Sequence, residues 1–174
     1  MLLEIPIYKQ GELDFTCGLY DLVSVAEHFG IALNSPGAPL AAVIGEKEEG
    51  LNADEAEESR IMPLVWGVGI EAMPKLAEGM GLKCEILDPA GDLDALKEAY
   101  LSIVLVFSHF DHPEGGWPSY ADGHYLIVMN DEGLLYVGDT HPWKPHLRPI
   151  DDNSFMEMWM HERLELRGWA LTFP

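Results

Sequence analysis

Thr16-Cys17-Gly18-Leu19-Tyr20-Asp21-Leu22-Val23-Ser24-Val25-Ala26-Glu27-His28-Phe29-Gly30 is the stretch on which the reading of the fold turns. Leu19, Leu22, Val23, Ala26 and Phe29 recur at helical spacing and predict one buried face. Thr16 is placed to cap the start and Gly30 to stop the end. A thiol, Cys17, therefore falls in the first turn of a buried helix. The partial positive charge of a helix N-terminus favours a thiolate there. This is the setting of a nucleophilic cysteine, and it directs the search to a base, a group to orient that base, and a donor for an oxyanion.

Outward from this helix the chain divides into a helical first half and a strand-rich second half. Ile5 to Tyr8 reads as extended, residues 10 to 16 as a loop, and Ser35 to Pro39 as a turn before the apolar stretch Leu40 to Ile44. Glu46 to Glu58 carries much of the acid and reads as a solvated surface segment. Met73, Leu76, Ala77 and Met80 predict a second helix closed by Gly81, with Pro74 tolerated in its first turn. Asp92 is placed to cap a third, through Leu93, Leu96 and Tyr100. Leu82 to Leu87 alternates like a strand, with Cys84 as a small buried hydrophobe.

Ile103 to Phe107 and Tyr125 to Met129 are continuous apolar runs, as expected of central strands. Asn130-Asp131-Glu132-Gly133 predicts a hairpin turn, with Leu134 to Val137 as the return strand. Ser154 to Glu157 matches a capping box for a short helix burying Phe155, Met158 and Trp159. Trp169 to Phe173 predicts a last strand. The whole is one α+β domain over residues 1–174, with no repeat and no linker.

Composition narrows the functional classes. The formal net charge is −20 over 174 residues, which argues against nucleic acid and anionic membrane as partners, since both need a basic surface. Beside the solvated-surface reading of the acidic segment stand a basic peptide or protein partner and adaptation to high salt. No run of about eighteen apolar residues predicts a membrane span. The start, Met1 to Pro6, lacks a signal-peptide pattern, so a cytoplasmic location is expected. Two cysteines do not make a disulfide framework. Oligomeric state is not legible.

A cysteine nucleophile needs a base and an orienting group. His124 opens a central strand and Asp139 closes the next. A hairpin turning near residues 131 to 133 runs these strands antiparallel and brings both residues to the same end. Gln10, the only glutamine in the chain, lies seven residues before Cys17 and offers an amide to join the Cys17 N–H as oxyanion donor. His109, Asp111, His112, His141 and His146 raise a metal reading. No helical HExxH and no paired-Cys motif supports it, so neither metal nor cofactor is expected. Trp117 and Tyr120 stand just before His124, either lining a substrate groove or packing under a loop.

Gln10, Cys17-Gly18, Gly30, Gly81-Leu82, Gly123-His124-Tyr125-Leu126 and Asp139-Thr140-His141-Pro142 stand in an order that resembles the papain-like superfamily. Within it, they most resemble the bacteriocin-processing, double-glycine leader peptidases. The resemblance covers nearly the whole chain. It implies a papain-like α+β fold, with Cys17 at a helix start packed on an antiparallel sheet that carries His124 and Asp139. It implies a Cys17–His124–Asp139 triad hydrolysing a peptide or isopeptide bond, with Gln10 in the oxyanion hole and a peptide or protein as substrate. Two features depart from the family pattern: the step from Gln10 to Cys17 is seven residues rather than six, and Thr16 replaces an Asp or Asn. The family's best-known members also precede a transporter, which has no counterpart in these residues, so a leader substrate is not carried over. Glutamine deamidation or amide transfer suits the same constellation, and a catalytically inactive peptide-binding module is the reading from another class.

Overall fold

The computed structural model describes residues 5–7, 17–31, 69–109, 121–140 and 147–174. Side chains are not described at positions 108, 109, 121 and 122. The first helix, α1, runs Cys17–His28. It ends as Gly30 predicts. Gly30 takes φ +73°, its N–H donates to Glu27 O at 2.8 Å, and the Ile31 N–H donates to Ala26 O at 2.9 Å. That pair of bonds is a Schellman motif, which needs a residue at home at positive φ. The same motif closes α2 (Met73–Gly79) at Gly81, whose φ is +84°. Pro74 sits in the first turn of α2, where its missing N–H costs nothing.

Six strands form one antiparallel sheet: β1 (Glu85–Ile86), β2 (Leu101–His109), β3 (Ala121–Asp131), β4 (Leu134–Gly138), β5 (Leu147–Ile150) and β6 (Ala170–Phe173). Their order across the sheet is β1-β6-β2-β3-β4-β5. The two remaining helices are α3 (Leu93–Glu98) and α4 (Asp152–Trp159). Side chains of a strand alternate between faces, and here both faces are covered. Leu101, Ile103, Tyr125, Ile127 and Met129 join α1 and α2 in one core. Val104, Val106, Leu126 and Val128 join Phe155 and Trp159 of α4 and Leu96 of α3 in a second. Burial on both faces is why β2 and β3 read as unbroken apolar runs.

The β3–β4 turn is at Glu132 (φ +52°) and Gly133 (φ +86°), so both central residues have positive φ. This is the twist that a two-residue hairpin favours. Asn130 Oδ1 accepts from the Gly133 N–H at 3.0 Å, and Asn130 Nδ2 donates to Lys97 O. Trp159 Nε1 donates to Trp169 O at 2.9 Å and ties α4 to the start of β6.

Several expectations are corrected. Phe29 is 42 % exposed, because the chain has already left the helix there. Tyr100 lies beyond α3, which ends at Glu98. In Leu82–Leu87 only Glu85 and Ile86 pair, and Cys84 is half-buried. Asp151, not Ser154, caps α4: its carboxylate accepts from the Ser154 N–H at 3.0 Å and from Ser154 Oγ at 2.7 Å. Strand β5 was not anticipated. It holds Pro149, which lacks an N–H and is at home only on an edge, and β5 is the sheet's outer strand.

Candidate active site

Cys17 is the first residue of α1 and is buried. Gly18 explains how α1 approaches the sheet. A Cβ there would lie 3.0 Å from Met73 Sδ and 3.0 and 3.2 Å from Cδ2 and Cε2 of Tyr125. Glycine lets the first turn rest directly on the Tyr125 ring, beside the strand that carries His124. Tyr125 is held in turn by an edge-on contact with Trp169, with ring centroids 5.8 Å apart.

The hairpin sets the second half of the site. Ile127 is opposite Gly138, the last paired residue of β4. Asp139 therefore emerges next to Leu126, two residues along β3 from His124. His124 Nε2 and Asp139 Oδ1 are 2.9 Å apart. A carboxylate only accepts, so Nε2–H donates and Nδ1 is left for another partner. Both residues are buried. His124 is also coupled to the Cys17 thiol, through charge and a side-chain hydrogen bond.

Burial by itself would push the Cys17 thiol up. The charge of His124 and its hydrogen bond, with backbone bonds from Tyr125 and Gly18, outweigh burial and hold the thiol below its ordinary 9.0. For His124, burial acts downward. The charge of Cys17, the bond to Asp139, the bond to Cys17 and the charge of Asp139 push the imidazole up to about 10. Both directions favour a thiolate–imidazolium pair. Such a pair supplies a nucleophile and, beside it, an acid for a leaving group. Cys84 contrasts with it: burial and the charges of Glu78 and Glu85 push that thiol up.

Cys17, His124 and Asp139, singled out from sequence, are thus brought together. Gln10, Thr16, Asp111, His112, Trp117, Tyr120, His141 and His146 lie outside the described residues, as does the side chain of His109. Among the described residues no group of three His, Cys, Asp or Glu side chains is arranged to hold a metal ion, and no helix is long and apolar enough to cross a membrane. Sequence reasoning passed over two residues beside Cys17. Tyr125 read as core, and Asp21 went unremarked, although an acid between buried helix positions was a visible signal.

No protein-family model matches the chain, and no curated protein matches it in sequence. A solved structure does match in fold: a double glycine motif protease from an AMS/PCAT transporter, in complex with the leader peptide. The TM-score is 0.58 at 15 % identity, with 98 % of this chain and 91 % of that chain covered. The chain shares with that protease an α+β fold built on an antiparallel sheet, as the papain-like reading of the sequence expects.

Proposed function

We propose that the chain is a cysteine peptidase of papain-like type that cleaves a peptide bond through Cys17, His124 and Asp139. The observation that carries the reading is that one buried imidazole is shared between a thiol at a helix start and a carboxylate. In the proposed reaction the Cys17 thiolate attacks the scissile carbonyl. The tetrahedral oxyanion is held by the Cys17 N–H and the Gln10 amide. It collapses as His124 passes its proton to the leaving amine, which leaves a thioester on Cys17. Neutral His124 then takes a proton from water, hydroxide adds to the thioester, and thiolate and imidazolium are restored with release of the acid. Asp139 keeps the Nε2 proton in place, so that Nδ1 faces the sulfur throughout.

A peptide substrate is favoured by the fold shared with a protease captured on a leader peptide. The net charge of −20 favours a segment carrying basic residues, which long-range attraction would steer to the surface. The test is incubation with basic peptides containing a Gly-Gly junction, followed by mass spectrometry. Cleavage after Gly-Gly, lost in Cys17→Ala, is expected. Conversion of Gln to Glu without chain cleavage would replace the peptidase reading by deamidation. An intact peptide beside a thiol of ordinary reactivity would leave a binding module.

Gln10 has its own consequence. An oxyanion donor acts on charge that develops only in the transition state. Gln10→Ala should therefore lower kcat about 10²-fold with little change in KM. Unchanged kcat in steady-state assays would place the donor elsewhere.

A further inference from the structure

Asp21 is fully buried on α1, with none of its surface exposed. It stands four residues after Cys17. At that helical spacing two residues lie one above the other, with Cβ atoms about 5–6 Å apart. The neighbouring buried positions Leu22, Val23, Val25 and Ala26 are apolar. A carboxylate is costly to bury, and an apolar side chain would pack such a position more cheaply. The ring of Tyr125 lies against the same turn of helix, at Gly18. Burial and then the charges of Cys17 and Asp21 push its phenol far above the ordinary range, so both charges act on one ring.

We propose that Asp21 is a positioning residue of the thiol site, a buried carboxylate one helical turn from Cys17 whose charge sets the pH window of the Cys17–His124 ion pair. The proposal rests on the peptidase reading of that pair. Negative charge beside the pair disfavours the thiolate and favours the imidazolium. It therefore moves both limits of the window the same way, to higher pH. Raising the thiol within the limits of an ion pair also keeps it a stronger nucleophile, since nucleophilicity falls with pKa. The groups that face the pair, among the described residues, are few. His124 and Tyr125 come from β3, with Asp139 beyond them. Met73 of α2 and Trp169 beside β6 carry no charge. Asp21 on α1 and Asp139 after β4 are the two buried acids among the described residues.

The experiment uses the full chain with Cys84→Ser, so that Cys17 is the sole thiol. Thiolate is followed by its ultraviolet absorbance and the His124 proton by ring-proton NMR, both against pH, for Asp21 and for Asp21→Asn. Asparagine keeps the shape and removes the charge. The expected result is that both limits move to lower pH by about two units, the scale of a unit charge at about 5–6 Å and an effective dielectric near 20. Asp21→Glu, which keeps the charge, should leave both limits where they were. Unmoved limits in a folded Asp21→Asn overturn the proposal. So does failure of both Asp21→Asn and Asp21→Ser to fold, since the role is then structural. Failure of the underlying reading looks different: the Asp21 protein itself would show no thiolate below 9.0.

Discussion

His124→Ala lowers kcat/KM for peptide cleavage by about 10³–10⁴-fold, the range expected when general acid–base catalysis and thiol activation are lost together. Two effects combine. The leaving amine loses its proton donor, and Cys17 loses both the charge and the hydrogen bond that oppose burial. Only the backbone bonds from Tyr125 and Gly18 remain to favour the thiolate, so the thiol moves up and is protonated at neutral pH. The same logic gives the shape of the wild-type pH profile. Activity rises as pH passes upward through the lowered Cys17 value and falls as it passes through about 10, where His124 loses its proton. In His124→Ala the acidic limb moves toward alkaline pH and the falling limb disappears. Steady-state kinetics across this range check the claim, and a variant that keeps activity within about tenfold would contradict it.

Gly168→Ala should destabilise the protein by about 3 kcal/mol or more, with the unfolding midpoint in urea as the measurement. Gly168 holds φ +71°, and a Cβ there would lie 2.3 Å from Gly91 N and 2.4 Å from Gly91 Cα. Those are backbone atoms and cannot swing aside. The contact is built on two bonds: Gly91 N–H donates to Gly168 O, and Gly168 N–H donates to Trp159 O, each at 3.0 Å. Displacing Gly168 therefore disturbs the loop before α3, the end of α4 and the approach to β6 together. Gly133→Ala is the control. Its φ is +86° but nothing lies within 4 Å of the added Cβ, so only the conformational cost of about 1–2 kcal/mol remains. Equal losses in the two variants would show that the close approach at Gly168 does not matter.

What the chain makes legible follows from where local rules and tertiary packing agree. Cys17 at a helix start, the glycine stops at Gly30 and Gly81, and the apolar runs of β2 and β3 are each written in a few adjacent residues. The turn at Glu132-Gly133 does more, because a two-residue hairpin fixes register over many residues. That register carries Asp139 to His124 from fifteen positions away. The departures lie where a choice depended on distant partners. A proline such as Pro149 ordinarily argues against a strand, yet an edge strand tolerates it. Both Asp151 and Ser154 could cap α4, and the backbone chose the earlier residue. Asp21 hid in an apolar helix because burial of a charge is decided by what surrounds it. The proposed substrate is the least legible part, since neither the spacing of Cys17, His124 and Asp139 nor the charge of −20 names it.

The central claim is that Cys17, and not Cys84, is an activated thiol. One sample tests it: the intact protein alkylated with iodoacetamide across a range of pH, with both cysteines quantified by peptide mass spectrometry. Cys17 should label with a midpoint well below 9.0, set by the imidazolium beside it. Cys84, half-buried and pushed up by burial and two glutamates, should follow only above 9.0. Identical pH profiles for the two cysteines would contradict the account.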